Sequence, residues 1–148
     1  MDKEKAIVLD IDGVILDSSI ILKEIYNLKL RGDEMWAYFH ANCNGPRVSL
    51  KEDIYPFLNS LKASVRIILS TSRNECCKKE TKERLHSEGL PYDMLYMRKS
   101  DDERPSPEVK KDHLKLITQR FEVIAFVDDD LSNCQMAEQE GILALRKV

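Results

Sequence analysis

The sequence predicts an α/β fold, a three-layer α/β/α sandwich around a central parallel sheet. Three observations carry this. Short apolar, β-rich runs alternate with segments of helical periodicity, which calls for crossover connections and therefore parallel strands covered on both faces. Those apolar runs read as buried strands, as in AIVL at 6–9 and IIL at 67–69. Polar side chains capable of chemistry stand where three of the runs stop: Asp10 and Asp12, Thr71, and Asp128 with Asp129. In open α/β sheets, ligands bind at that carboxyl edge.

The elements follow in order. Residues 6–9 form the first strand, ending at Asp10. Residues 19–30 place apolar side chains at 20, 21, 22, 25, 28 and 30, a helix ended by Gly32. An aromatic-rich stretch at 34–42 is followed by the turn Cys43-Asn44-Gly45-Pro46. Ser49 is positioned to cap a helix over 50–62, kinked at Pro56. A second strand at 65–69 is closed by STSR, and a charged helix over 74–88 stops at Gly89. A third strand spans 92–97, and a polar loop covers 98–107. A helix over 108–119 leads to a fourth strand at 123–127, which runs into three consecutive aspartates. A helix at 132–140 and a strand at 142–145 complete the chain.

The 148 residues suit one domain over 1–148, with 17–46 as a small helical, cap-like insert. No apolar run approaches the ~20 residues that span a bilayer, and the charged first residues lead into a strand instead of a signal sequence. A cytoplasmic address and no membrane partner are expected. The net charge of −3 provides no basic field for coating nucleic acid, though a few local arginines could grip an end. Four cysteines contain no C-x-x-C pair, so zinc is not expected and the thiols read as reduced.

The stretch AIVLDIDGVILD poses the chemical question, because Asp10 and Asp12 are like charges at a strand's end. A calcium loop fails: counting from Asp10, Val14 and Ile15 fall where an oxygen ligand and a glycine are needed, and Ile21 falls where a glutamate is needed. The glycines at 13, 32, 45, 89 and 141 form no phosphate-binding P-loop. Paired acids fit phosphoryl chemistry better. One carboxylate can attack phosphorus, and a second can protonate the leaving oxygen and then activate water. Mg2+ takes a few carboxylates together with substrate oxygens and water, and Asp10, Asp128 and Asp129 could supply them. Thr71 and a lysine would hold the phosphoryl oxygens.

The order Asp10-x-Asp12-Gly13-Val14, then Thr71, then a helix-borne lysine, then Asp128-Asp129 resembles the haloacid dehalogenase (HAD) phosphohydrolase superfamily. A response-regulator receiver uses similar residue types, but its acid pair precedes the phosphorylated aspartate. A narrower resemblance is to the 3′-phosphatase domain of phage-type polynucleotide kinase/phosphatases. It rests on STSRNE, on GLPYDMLYMRKSDDERPSPEVKKDHL and on FVDDDLSNCQMAEQEGILALRKV. The resemblance implies a Rossmann-like, HAD-like sandwich with a minimal cap. It implies Asp10 as nucleophile, Asp12 as general acid–base, and Thr71 and Lys110 as phosphate-binding residues. It further implies Mg2+ on Asp10, Asp12, Asp128 and Asp129, and Arg73, Arg98 and Arg104 near the substrate. Ser70 stands beside Thr71 and Lys111 beside Lys110, so a shifted alignment would exchange either pair.

Other residues read more plainly. Trp36, Tyr38 and Phe39 could stack a base, but such clusters more often pack an insert onto the core. His40, His86 and His113 are expected at the surface or in packing, and Asp17 and Asp130 as caps or as acids lying outside the immediate site. The short insert predicts an open site that admits bulky substrates. The expected function is a Mg2+-dependent phosphomonoesterase, forming an aspartyl-phosphate and acting on nucleic-acid 3′-ends of DNA or RNA. A HAD nucleotidase, or a sugar-phosphate or phosphoprotein phosphatase, is the second reading. A phosphate-binding subunit without turnover is disfavoured by the intact Asp10/Asp12 pair.

Overall fold

A computed structural model describes residues 2–148. In chain order the elements are β1 (Glu4–Leu9), β2 (Leu16–Asp17), α1 (Ser19–Asn27), α2 (Gly32–Asn42), β3 (Ser49–Leu50), α3 (Ile54–Leu61), β4 (Arg66–Asn74), α4 (Lys78–Ser87), β5 (Met94–Arg98), α5 (Ser106–Arg120), β6 (Phe121–Asp128), α6 (Leu131–Gln139) and β7 (Ala144–Arg146). The central sheet has five strands in the order β5-β4-β1-β6-β7. Each neighbouring pair is parallel, as crossover helices require. The predicted three-layer architecture is what forms.

The period-2 alternation of each strand distributes its apolar run between two cores. Ile7, Leu9, Ile67, Leu69 and Val127 pack against Ile21 and Ile25 of α1, Leu58 of α3 and Leu85 of α4. Ala6, Val8, Ile68 and Phe126 face the other way, against Leu114 and Ile117 of α5 and Met136 and Ala137 of α6. The uninterrupted hydrophobicity of these strands therefore has a single cause: both faces are covered. The alternation also determines where the chemistry goes. Carried to the carboxyl edge, it turns Asp10 and Asp128 toward α5 and α6, and Thr71 toward the opposite face.

The helix expected over 50–62 is shorter and starts later. Residues Ser49 and Leu50 pair antiparallel with Asp17 and Leu16, which removes them from any helix. α3 begins at Ile54, so Pro56 lies in its first turn, where amides have no helical partner and proline needs no kink. The helix expected from residue 74 likewise opens as a short 3-10 turn, with the Asn74 side chain accepting from the Cys76 amide at 2.9 Å. The β2–β3 pair marks where the chain leaves the core and returns, and α1 and α2 lie between. The four cysteines are free thiols, as expected. Among the described residues, no helix is long and apolar enough to cross a membrane.

Candidate active site

Asp10 extends β1 into the carboxyl edge of the sheet, its amide donating to the Val127 carbonyl of β6 at 3.0 Å. Its Oδ1 accepts from the Ile11 amide at 2.8 Å and pairs with Lys110 Nζ at 2.9 Å. Lys110 lies four residues into α5, buried to 1% exposure, and also donates to Asp128 Oδ2 at 2.6 Å. Asn133 Nδ2, from α6, reaches the same oxygen at 3.2 Å, and the Asp130 amide donates to Asp128 Oδ1 at 3.0 Å. Burial pushes the Asp10 carboxyl well above the usual carboxylate range, opposed by Lys110 and reinforced by Asp128 and Asp12. For Lys110, burial pulls the other way, yet Asp10 and Asp128 together raise it above an ordinary lysine. A buried cation between two carboxylates persists because each partner satisfies the others.

Loop residues 10–16 present the remaining acids. The amides of Ile15 and Leu16 turn back to the Ile11 carbonyl at 2.8 and 3.0 Å. Val14, Ile15 and Leu16 are fully buried, so the apolar tail of the motif clamps the loop to the core. Asp12 is gripped by a guanidinium fork: Arg73 Nε reaches Oδ2 and Nη2 reaches Oδ1, both at 2.8 Å. Ser18 also donates to Oδ1.

Arg73, expected at the substrate, is buried to 2% exposure. Its further donors go to Asn44 Oδ1 at 2.5 Å, Thr81 Oγ1 at 3.2 Å and the Cys43 carbonyl at 3.2 Å. A guanidinium has five N–H donors, and these contacts use all of them. Arg73 therefore acts on the site through Asp12.

The adjacent hydroxyls separate by strand alternation. Ser70 bonds His113 Nδ1 of α5 at 2.7 Å, beneath the sheet, whereas Thr71 lines the same cavity as Asp10 and Asp12. Desolvation lowers His113 to about 4, so it is a neutral packing group at ordinary pH. The two lysines separate in the same way, with Lys111 at the surface, 3.2 Å from Glu140.

Of the four carboxylates expected to hold a metal, ligand oxygens of Asp10, Asp128 and Asp129 lie within 4.8 Å of one another, while those of Asp12 are engaged by Arg73 and Ser18. Three carboxylates against the one ammonium of Lys110 leave an excess of negative charge that a divalent cation would neutralise. The Asp129 carboxyl is raised by desolvation and by Asp128, the sign of the same crowding. Asn133 Oδ1, in the cavity wall, is buried without a hydrogen-bond partner. A hard cation prefers such an oxygen-only set, so the residues fit Mg2+.

Arg98 and Arg104 do not reach this cluster. Arg98 donates to the carbonyls of Ser72, Asp102 and Arg104 at 3.0, 3.0 and 2.6 Å, pinning the 98–105 loop. Arg104 forks onto Asp102 and reaches Asp112 at 2.6 Å. Both line a neighbouring cavity of about 450 Å3, whereas the reaction cavity measures about 300 Å3.

A family model described as the polynucleotide kinase PNKP phosphatase domain matches residues 4–146. The chain belongs to this family. The PNKP-type domain is a HAD-type phosphatase, and the solved structures it resembles agree on the fold. A chain of the Pnkp1/Rnl/Hen1 complex superposes with a TM-score of 0.77 at 20% identity, over 97% of this chain and 46% of that one. A chain of the Pnkp1/Rnl/Hen1 RNA repair complex gives 0.77 at 21% identity, over 97% and 42%. The PNKP-type domain thus spans less than half the length of those two chains. The class C acid phosphatase from Bacillus anthracis with tungstate bound gives 0.73 at 17% identity, over 99% and 68%. No curated protein sequence matches the chain.

Several residues that shape this PNKP-type site escaped the sequence reading. Ser18 and Asn44 complete the cage around Asp12 and Arg73, and Asn133 orients Asp128. Asn133 had a usable signal, falling in the first turn of a helix capped by Asp130 immediately after the acids. Gly13 has a structural reason to be glycine. Its φ is +86°, and a Cβ there would lie 2.0 Å from Asp129 Oδ2. Gly13→Ala is therefore expected to lower the free energy of unfolding by about 1–3 kcal/mol through left-handed backbone strain. It should also displace Asp129, so that more Mg2+ is needed for half-maximal activity. Thermal melting and a Mg2+ titration of turnover read the two effects separately.

Proposed function

We propose that this domain removes phosphate from the 3′-ends of nucleic-acid strands by way of an aspartyl-phosphate on Asp10. The observation that carries the reading is the Asp10 carboxylate facing a cavity whose walls also hold Lys110, Thr71 and Asp12. With Oδ1 engaged by Lys110 and the Ile11 amide, Oδ2 is the oxygen that attacks phosphorus. As the P–O ester bond breaks, Asp12 protonates the departing 3′-oxygen. Asp12 then takes a proton from water, which attacks the phosphorus of the acyl phosphate, releasing inorganic phosphate and restoring Asp10. Arg73 Nη2 and Ser18 hold Asp12 through Oδ1, and Oδ2, bound by Arg73 Nε alone, is the oxygen that is released to carry the proton in each half-reaction. Thr71 and Lys110 bind the phosphoryl oxygens, with Lys110 shifting from carboxylate to phosphate as charge develops there. Asp10, Asp128 and Asp129 would hold Mg2+, which supplies positive charge against the phosphoryl group.

The strand-end substrate is supported by the PNKP family match and by the likeness to chains of an RNA repair complex. The shortness of the 17–46 segment, whose only helices are α1 and α2, also supports it, because so small a cover would leave room for a long substrate. The test measures phosphate release with Mg2+ from a 3′-phosphorylated oligonucleotide, its 5′-phosphorylated isomer, nucleoside monophosphates and glycerol 2-phosphate. The 3′-phosphorylated strand is expected to exceed glycerol 2-phosphate in kcat/KM by ~10-fold or more, from contacts that glycerol cannot make. Equal rates on the two would overturn the nucleic-acid reading and leave a general HAD phosphatase.

A further inference from the structure

Trp36 stands on the boundary between two cavities. It lines the reaction cavity with Asp10 and Thr71, and it also lines the larger neighbouring cavity, which shares Ser72 with the first. Packing does not account for it. Phe39, three residues on, is 7% exposed and belongs to the core, whereas Trp36 is 49% exposed. The indole is nevertheless braced. It stacks on His40 at 6.1 Å between centroids and 23° between planes, and meets Phe39 edge-on at 6.3 Å. His40 is anchored in turn, its Nε2 accepting the Asn74 amide at 3.3 Å. A large aromatic surface fixed before a ligand arrives has little conformational entropy left to lose on binding.

The wall of the larger cavity indicates what the indole faces. Asp33, Asp102 and Glu103 line it against Arg98 and Arg104, three carboxylates to two guanidiniums. Arg104 is paired with Asp102 and Asp112, and Arg98 donates to backbone carbonyls. Such a wall offers no surplus positive charge to a run of phosphates, which depends on that surplus. It suits an uncharged, flat, polar-edged ring, with Asn74 and Ser100 beside it to supply polar contacts.

We propose that Trp36 stacks the terminal nucleobase of a 3′-phosphorylated strand, so that the base of the reacting nucleotide enters the larger cavity while its phosphate meets Asp10. This rests on the strand-end reading above and deepens it. The enzyme would grip the last nucleoside by its ring and leave the upstream backbone largely unread.

Trp36 is the chain's single tryptophan, so indole fluorescence reports on this side chain alone. In the Asp10→Asn protein, a 3′-phosphorylated oligonucleotide is expected to quench that fluorescence on binding. The same strand ending in an abasic 3′-phosphorylated nucleotide should quench it weakly. In turnover, the wild-type chain is expected to prefer the base-bearing end over the abasic end by roughly 5–100-fold in kcat/KM, the range of one base–aromatic stack. Trp36→Ala should bring that ratio near one, and Trp36→Phe should keep most of it. An abasic end processed as well as a base-bearing one would overturn the stacking proposal, as would a ratio unchanged in Trp36→Ala. If Trp36→Ala does not fold, the fluorescence titration decides alone. Failure of every oligonucleotide to exceed glycerol 2-phosphate would instead remove the strand-end reading itself.

Discussion

Asp10→Asn is expected to keep the fold and lower turnover by ~1,000-fold or more, because an amide is a very poor nucleophile toward phosphorus. The structural argument for a retained fold is local. Asparagine is isosteric, and its side-chain oxygen can still accept the Ile11 amide that Asp10 Oδ1 accepts at 2.8 Å. Lys110 keeps its 2.6 Å partner in Asp128 and does not become an orphaned buried cation. The substitution also removes one of the three clustered carboxylates, so activity loss alone would not separate attack from metal binding. A trapping experiment on the wild-type protein tests the covalent step directly. Wild-type protein mixed with substrate labelled in the phosphate and quenched in acid should retain label on the chain, and Asp10→Asn should retain none. An unlabelled wild type would sink the covalent mechanism, and label on the variant, or variant turnover near the wild-type rate, would remove Asp10 as the nucleophile.

Arg73→Ala is the second large effect, and it falls on stability and activity together. The side chain is fully buried, and its guanidinium joins β4 to Asp12 on the β1 loop, to Cys43 and Asn44 after α2, and to Thr81 on α4. Removing it leaves the Cys43 carbonyl and Asn44 Oδ1 without that donor and Asp12 without its fork. Breaking a buried ion pair from one side costs about 3–5 kcal/mol. Asp12 retains 24% side-chain exposure and can recruit water, so the lower part of that range applies. Chemical denaturation should show a loss of unfolding free energy of that size. Turnover in the protein that remains folded should fall by ~100-fold or more, since a misplaced acid–base is nearly as damaging as an absent one. Arg73→Lys should rescue little, because an ammonium cannot form the two parallel bonds of the fork. Full activity in a folded Arg73→Ala protein would remove the positioning role assigned here.

The fold was legible to the degree that its signals were local. Strands buried on both faces leave uninterrupted apolar runs, and residues 6–9 and 67–69 are such runs. The helix expected over 50–62 was misplaced because Ser49 is a good cap in isolation, while its actual partner, Asp17, lies 32 residues away in sequence. Pairing at that distance leaves little trace in a short window. The aromatic cluster at 36–39 divides. Tyr38 and Phe39 serve packing as expected, Tyr38 bonding Glu24 at 2.5 Å, but Trp36 points out onto the cavity wall. Composition cannot distinguish an aromatic packed inward from one that lines a cavity three residues away.

The site divides along the same line. The sequence by itself determined the parallel α/β architecture, and it placed acids and a hydroxyl at the strand ends, because strand periodicity and the carboxyl-edge rule are properties of the chain. The tertiary structure alone decided how those groups are shared. It gave Ser70 to His113 and left Thr71 in the cavity, turned Lys110 inward between Asp10 and Asp128, and withdrew Arg73 from the substrate into the grip of Asp12. Each of these is a choice among donors and acceptors contributed by different elements. Hydrogen-bond geometry settles such choices within a few tenths of an ångström, on distances that exist only once the sheet and helices have closed around them.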